Sequence, residues 1–350
     1  MTTEALVGIR YRKRSRNRLL LLVLVSVALL LSLTLDVASG PGNYPIDQVL
    51  SVLFSAESQG TQLKVVIWDL RLPVALMAVA VGVMLGASGA EMQTILNNPL
   101  AEPFTLGISS AAAFGAALAI VFGVELLPFG HSALISVNAF LFALLTAYLL
   151  YLFTRLRGAS SETMVLIGIA LLFTFNALLG LLQYTANDAQ LMQIVFWMMG
   201  SLSRATWEKL AICGLVMGLV LPFFIYRSWM LTALRLGDDR AAALGIDIQR
   251  LRMQVLVAVS LLAATAVAFV GTIGFVGLVG PHIARLLVGE DQRYFLPMSM
   301  LAGGLMMSLT SLISKSVTPG VIYPVGIVTS LIGVPFFISL ILSIRRRNWS

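Results

Sequence analysis

Almost the whole chain consists of apolar stretches long enough to cross a lipid bilayer. Of its 350 residues, 59% are hydrophobic and 11% are charged, whereas a soluble domain is about one-half hydrophobic and about one-quarter charged. A transmembrane helix needs about 20 mostly apolar residues to cross roughly 30 Å of hydrocarbon. Such stretches follow one another here without a polar block of the size of a soluble domain. The sequence therefore predicts one all-α, polytopic membrane domain over residues 1–350.

Gly, Pro and charged residues divide the apolar sequence into ten candidate transmembrane helices. They are predicted at Leu19–Leu35, Val65–Leu96, Phe104–Gly123, Ser132–Thr154, Thr163–Gln183, Trp207–Tyr226, Met253–Val270, Phe275–Val288, Phe295–Ser314 and Pro324–Ile344. The eighth is short and contains Gly and Pro, which is typical of a broken helix that faces protein or a water-filled cavity. The first follows basic residues, as in a signal peptide, but its 17 apolar residues exceed the usual 7–15 of a cleaved segment. We therefore expect an uncleaved first span.

The positions of lysine and arginine predict the orientation, because short cytoplasmic loops are enriched in these residues. With the N-terminus in the cytoplasm, 18 of the 23 Lys and Arg residues fall on the cytoplasmic side. Residues 1–18 then form a basic cytoplasmic N-terminus, and the C-terminus is cytoplasmic as well. The net charge of +7 therefore reflects topology and contact with anionic membrane lipid, and we expect no nucleic acid partner.

The sequence lacks the residue sets that enzymes and metal sites need. It contains no Gly-x4-Gly-Lys-Ser/Thr motif for ATP, and no pair of carboxylates is placed for acid–base catalysis. Cys213 is the single cysteine, which excludes disulfides and thiol-based metal sites within the chain. His131 and His282 are isolated, whereas a metal site needs three or four ligands. We predict no catalytic, cofactor-binding or metal site in this chain.

Glycines at regular spacing predict close packing of helices. Gly82 and Gly86, followed by Ala90, form a stripe of small residues in the second span. Glycines also recur at every third position over residues 271–280, where no lysine accompanies them. Small residues allow neighbouring helices or backbone segments to approach closely. Packing is therefore favoured over a phosphate-binding loop at both places.

The region 232–250, between the sixth and seventh spans, predicts a short cytoplasmic helix. Asp238 suits an N-cap, the alanines after it favour helix, and Gly245 suits the position that ends a helix. Asp247 suits the cap of the following helix. The short helix cannot cross a membrane. It could lie on the lipid surface, but charges of both signs favour docking on a protein partner.

Several short motifs, in order along nearly the whole chain, give a specific resemblance to a known family. They are Arg71-Leu72-Pro73, Ser88-Gly89-Ala90 with Gln93, Asn98-Pro99-Leu100-Ala101 with Pro103, Leu106-Gly107 with Ser109, Leu236-Gly237, Leu244-Gly245, the run Gly274–His282, Pro324-Val325-Gly326 and Pro335-Phe336-Phe337. Together they resemble the permeases of FecCD-type ABC importers, the type II importers of iron siderophores, haem and cobalamin.

The resemblance implies ten helices per subunit and a second permease subunit, either an identical chain or a close relative. It also implies two ATP-binding-cassette ATPase subunits, which bind ATP and Mg, and a substrate-binding protein. The chain itself is then a non-catalytic subunit without a cofactor, located in the bacterial inner membrane. An iron(III)-siderophore-type chelate is the expected cargo. Haem, cobalamin or oxyanion import remains an alternative, as does an ion-coupled secondary transporter.

The resemblance also implies roles for particular residues. The ATPase-coupling residues are Leu236, Gly237, Asp238, Asp239, Arg240, Leu244 and Gly245. The cytoplasmic gate consists of Asn98 and Leu100, with Ser160 and Ser161 opposite. Arg71 and Lys315 are expected to face acidic side chains of the binding protein; lysine stands here in place of an arginine usual in the family, and it lacks the bidentate guanidinium. As polar residues within spans, Gln93, Asn176 and Gln183 are the candidates for lining the pathway.

Overall fold

The chain folds into a bundle of helices. The computed structural model describes residues 3–40, 42, 44–54, 61–124, 126, 133–157, 160–318 and 320–347, so His131 lies outside the described residues. Within these ranges there are helices and no strand. They are α1 (Thr3–Ala38), α2 (Ile46–Phe54), α3 (Thr61–Val65), α4 (Leu72–Ile95), α5 (Ile108–Phe122), α6 (Leu134–Arg157), α7 (Ser161–Thr185), α8 (Asp188–Met198), α9 (Trp207–Leu234), α10 (Asp238–Ala243), α11 (Ile248–Val270), α12 (Val276–Val288), α13 (Gln292–Ser316) and α14 (Val325–Arg347).

In the described part of the chain a helix lies at each of the ten predicted spans. Seven helices are long and apolar enough to cross a membrane, and three shorter apolar helices lie at Ile108–Phe122, Val276–Val288 and Val325–Ser339. The short helices α2 and α8 were not predicted, since neither is long enough to give a span. A π-helical turn, Val66–Arg71, joins α3 to α4, and together these three elements form the second span.

Helix α4 lies at the centre of the bundle and packs against α13, α12, α11 and α9. Its glycines bring it into backbone contact with its neighbours. A Cβ atom on Gly82 would lie 2.3 Å from the carbonyl oxygen of Gly303, and one on Gly86 would lie 2.3 Å from that of Ser299. A Cβ atom on Gly89 would lie only 1.9 Å from the carbonyl oxygen of Gly277. The predicted close packing is therefore confirmed at α13 and α12.

A Gly89→Ala substitution is expected to destabilise the protein by about 1–3 kcal/mol, because the methyl group overlaps the backbone of α12. Gly180→Ala and Gly214→Ala are matched controls, since nothing lies within 4 Å of a Cβ atom at either position. Both controls should be neutral or slightly stabilising, as alanine favours helix. Thermal unfolding in detergent measures the difference. Equal midpoints for the Gly89 variant and the controls would contradict the packing described here.

Two of the shorter helices, α5 and α12, begin inside the bundle. Residues 271–275 are not helical, and α12 starts after Phe275, whose φ of 69° is left-handed. Gly277, at the start of α12, packs on Gly89, six residues before the end of α4. The loop after α4 also turns inward, because Gly107 packs on Leu172, about 16 Å along α7 from its first residue. The eighth helix is short, as predicted, but Gly280 and Pro281 lie inside it without interrupting it.

Charged residues divide the bundle into two unlike ends. The end where α1 and α13 begin, which we call the basic end, contains Arg18 within 3.8 Å of Asp291, and Ser15 Oγ lies 2.6 Å from the Tyr294 hydroxyl. Hydrogen bonds from Arg293 lower the pKa of Asp291 below its ordinary value. At the opposite end α1 finishes, beside Arg71 and Lys315. This separation agrees with the sequence, in which 18 of the 23 Lys and Arg residues were assigned to one side of the membrane and the others to the opposite side.

The single cysteine lies in the core between two spans. Cys213 of α9 is fully buried, and its Sγ atom lies 3.9 Å from the Sδ atom of Met77 in α4. It packs there as a small apolar side chain.

Candidate functional site

The predicted short helix between the sixth and seventh spans is present at the basic end. Gly237 (φ 98°) precedes α10, and Gly245 (φ 81°) follows it, both in backbone conformations that favour glycine. Leu236 is 55% exposed and Leu244 is 51% exposed. These leucines flank the exposed charged side chains of α10, so the helix presents a surface that is apolar at its ends and charged between them.

Asp238 does not cap α10 as predicted; Gly237 holds that position, and Asp238 is the first helical residue. Its carboxylate instead accepts two hydrogen bonds of 2.9 Å from the guanidinium of Arg252 in α11. The same guanidinium donates through Nε to the carbonyl oxygen of Ile95, the last residue of α4, at 2.8 Å. Arg252 is 3% exposed. One buried side chain therefore connects the short helix to the end of the central helix.

A second group of charges connects α9 and α12 to the same end of α4. Arg235, after the last residue of α9, donates to Glu290 at 2.6 Å and to Thr94 Oγ1 at 3.0 Å. Arg285 of α12 donates to the same carboxylate at 2.7 Å and to Gln93 Oε1 at 2.8 Å. Glu290 thus lies between two arginines that are themselves bound to α4. With those of Arg252, these contacts join five helices, α4, α9, α10, α11 and α12, in one region.

The predicted gate residues lie on the turn that follows α4. Asn97 has a left-handed φ of 46°, and the side chain of Asn98 accepts a 2.9 Å hydrogen bond from the backbone N–H of Leu100. Leu100 is 43% exposed. The turn therefore begins two residues beyond Ile95, the contact point of Arg252.

Ser160 and Ser161 lie at the start of α7. The Ser160 hydroxyl caps this helix by accepting a 3.2 Å hydrogen bond from the backbone N–H of Thr163. Within the described ranges no hydrogen bond joins either serine to Asn98 or Leu100. A contact between the two pairs stays a prediction.

The three pathway candidates occupy different environments. Gln93 is 2% exposed and its amide is bound to Arg285 and to the carbonyl oxygen of Gly277. The prediction that Gln93 faces a pathway is therefore not supported, because its polar atoms join α4 to α12. Asn176 is exposed on α7, and Gln183 is half-buried, with Nε2 3.7 Å from the Met198 Sδ atom. An exposed amide at the middle of a span requires water or a partner subunit rather than lipid.

The two cations predicted to face a binding protein are buried at the opposite end. Arg71 is 7% exposed and donates to the carbonyl oxygens of Val37, Ala38 and Gly42, which caps the end of α1. Lys315 lies 2.8 Å from the carboxylate of Asp36, which is fully buried. Both positive charges are thus bound within the chain, so the structure gives no support to a docking role for either.

Residues 24–343 match the model of the FecCD transport family. The chain belongs to the FecCD transport family. It is 36% identical to the haemin transport system permease HmuU of Yersinia pestis, over 81% of this chain and 85% of that protein. It is 38% identical to the molybdate import permease MolB of Haemophilus influenzae, over 80% and 82%. The chain is thus a permease subunit of an ABC importer, and multi-pass membrane insertion follows from the family and the apolar helices.

The fold agrees with this assignment. A solved structure of an inward-facing ABC transporter of the metal-chelate type superposes with a TM-score of 0.81 at 34% identity, covering 92% of this chain and 99% of that one. The predicted type II importer permease fold is confirmed. Permeases of this kind function with ATPase subunits and a second permease subunit, so the chain is one part of a larger assembly.

Sequence reasoning missed the charged residues that connect the helix ends. Arg235, Arg252 and Arg285 were interpreted only as markers of topology, and Glu290 was not considered. The sequence could have indicated a buried contact for Arg252, because this residue lies four residues after the start of an apolar helix, where an arginine requires a partner. The identity of that partner depends on which helices are neighbours.

Proposed function

We propose that this permease moves an iron(III)-siderophore-type metal chelate from a binding protein into the cytoplasm, across a bacterial inner membrane. ATP hydrolysis in the partner subunits supplies the free energy. The observation that supports this coupling is the Arg252 linkage, which joins the exposed helix α10 to the end of α4, two residues before the predicted gate turn. In this proposal the basic end faces the cytoplasm and α10 docks on an ATPase.

The linkage supports alternating access as the mechanism. A displacement of α10 is passed to the end of α4 through a buried guanidinium rather than through a mobile surface side chain. The Asn98–Leu100 turn follows at once and moves with it. The turn then has two conformations, one with the pathway open to the cytoplasm and one with it closed. ATP shifts the equilibrium between them only as far as it binds one conformation of the complex more tightly than the other.

The names of similar proteins bear on the cargo. Relatives are named for haemin and for molybdate, and a similar fold belongs to a transporter of the metal-chelate type. Haemin is itself an iron chelate, so two of these three comparisons favour a chelated metal. Haem, cobalamin or oxyanion cargo is the alternative.

Reconstitution into vesicles tests the proposal. The permease, with its ATPase and its binding protein, should accumulate a radiolabelled ferric siderophore only when ATP is present on the ATPase side. Unlabelled siderophore should compete, whereas haemin and molybdate should not. Uptake that needs a proton gradient but neither ATP nor the ATPase would instead indicate an ion-coupled secondary transporter.

Charge reversal on α10 tests the docking part separately. Arg240→Glu is expected to weaken ATPase binding about tenfold, because an exposed interfacial charge is reversed while the helix is retained. Arg14→Glu is the matched control, an equal charge change on an exposed residue of α1. Co-purification of the ATPase at graded salt measures the effect. Deletion of Asp238–Gly245 should abolish co-purification, and retained ATPase binding in that deletion would contradict docking at α10.

A further inference from the structure

A cleft of about 740 Å³ opens between α6, α9 and α11 at the basic end, away from the charged contacts described above. Arg155, near the end of α6, and Arg250, in the first turn of α11, both line it and are both exposed. Neither guanidinium makes an ion pair or a hydrogen bond with the described residues. Asp247 also lines the cleft, but its carboxylate accepts the backbone N–H of Arg250. Two arginines against one aspartate leave the mouth of the cleft with a net positive charge, and among the described residues no ion pair neutralises either guanidinium.

The deeper walls of this cleft are apolar. Leu219 and Phe223 of α9 face it from one side, and Val257 and Leu261 of α11 from the other. Leu261 lies 11 residues along α11 from Arg250, which is about 16 Å at the helical rise. Leu219 is 65% exposed and Val257 is 53% exposed. The cleft therefore continues from a cationic mouth into an apolar channel directed toward the middle of the membrane.

We propose that this cleft binds one anionic phospholipid of the leaflet that adjoins the basic end. The phosphate lies between Arg155 and Arg250, and an acyl chain follows Leu219 and Val257. Basic clefts between transmembrane helices are suited to anionic lipid headgroups. A soluble anion would use the arginines but would leave the apolar channel without an occupant, and an apolar partner helix would leave the two charges without counter-ions.

Lipid retention by the purified transporter complex tests this proposal. The complex is incubated with equal amounts of phosphatidylglycerol and phosphatidylethanolamine of matched acyl chains, and bound lipid is measured by native mass spectrometry. The wild-type complex should retain phosphatidylglycerol with about a tenfold preference, as expected for two arginines whose attraction is partly offset by the Asp247 carboxylate. An Arg155→Gln/Arg250→Gln double variant should lose this preference. An Arg14→Gln/Arg16→Gln double variant, an equal charge change on exposed residues of α1, should keep it.

Two further measurements separate the lipid from other occupants. Ala258→Trp, which fills the cleft without a charge change, should reduce the retention of both lipids. An excess of inorganic phosphate should leave phosphatidylglycerol in place; its displacement would indicate a soluble-anion site and would overturn the proposal. Equal retention of the two lipids by the wild-type complex would overturn it as well, and this result needs no variant to fold. Unchanged preference in the Arg155→Gln/Arg250→Gln complex would exclude the cleft as the site.

Discussion

Replacement of Lys315 by alanine is expected to lower the free energy of unfolding by about 3–5 kcal/mol, because it leaves the carboxylate of Asp36 buried without a counter-ion. The two side chains join α13 to α1 with 2.8 Å between Nζ and Oδ1, and they are 8% and 0% exposed. Thermal unfolding of the purified permease in detergent, with and without the substitution, measures the loss.

The matched control removes both charges. An Asp36→Leu/Lys315→Met double variant should be close to the wild type in stability, since apolar residues of similar volume commonly replace a buried ion pair at little cost. Equal destabilisation in the single and double variants would show that side-chain packing, rather than the unpaired charge, is responsible. The double variant also tests the docking role of Lys315. Unchanged uptake with the binding protein would exclude a need for the lysine charge at that interface.

Replacement of Arg252 by methionine is expected to reduce the number of chelate molecules transported per ATP hydrolysed about tenfold, within the range of measured coupling energies. The exposed surface of α10 is retained, so ATPase binding should persist. What is lost is the connection from Asp238 to the carbonyl oxygen of Ile95. Parallel measurement of uptake and of phosphate release in proteoliposomes gives the ratio directly.

Arg293→Met is the control for this experiment. Arg293 also pairs with an aspartate at the basic end, but its partner, Asp291, is two residues away in the same chain segment. The control should therefore leave the transport ratio unchanged. If Arg252→Met retained the wild-type ratio, or if it released the ATPase, a role for Arg252 in transmitting motion would be excluded.

The sequence predicted the features that depend on local composition. Apolar length identified the ten spans, and Gly, Asp and Ala spacing identified α10. Glycine spacing identified the close contacts of α4, because small residues serve the same purpose in any helix pair. The placement of the cap was wrong by one residue, since Gly237 adopts a φ of 98° that a capping aspartate would not favour.

The partners of buried charges could not be predicted from one sequence. Arg71 and Lys315 were expected to face acidic side chains of the binding protein, yet Arg71 caps α1 and Lys315 pairs with Asp36. Residues 36 and 315 are far apart in the chain, and only the packing of α1 on α13 brings them together. The same reason explains why Gln93 was assigned to the pathway. An amide on a predicted span looks the same in sequence whether it faces water or a neighbouring helix.

The position of Cys213 has a practical consequence for measuring motion in this transporter. A thiol enclosed between α9 and α4 is shielded from maleimide reagents in the folded protein. New cysteines at Asn98 or Asp239 could then carry spin labels or cross-linkers without prior removal of the native thiol. Distances between such labels would report directly on how far the gate turn moves during a transport cycle.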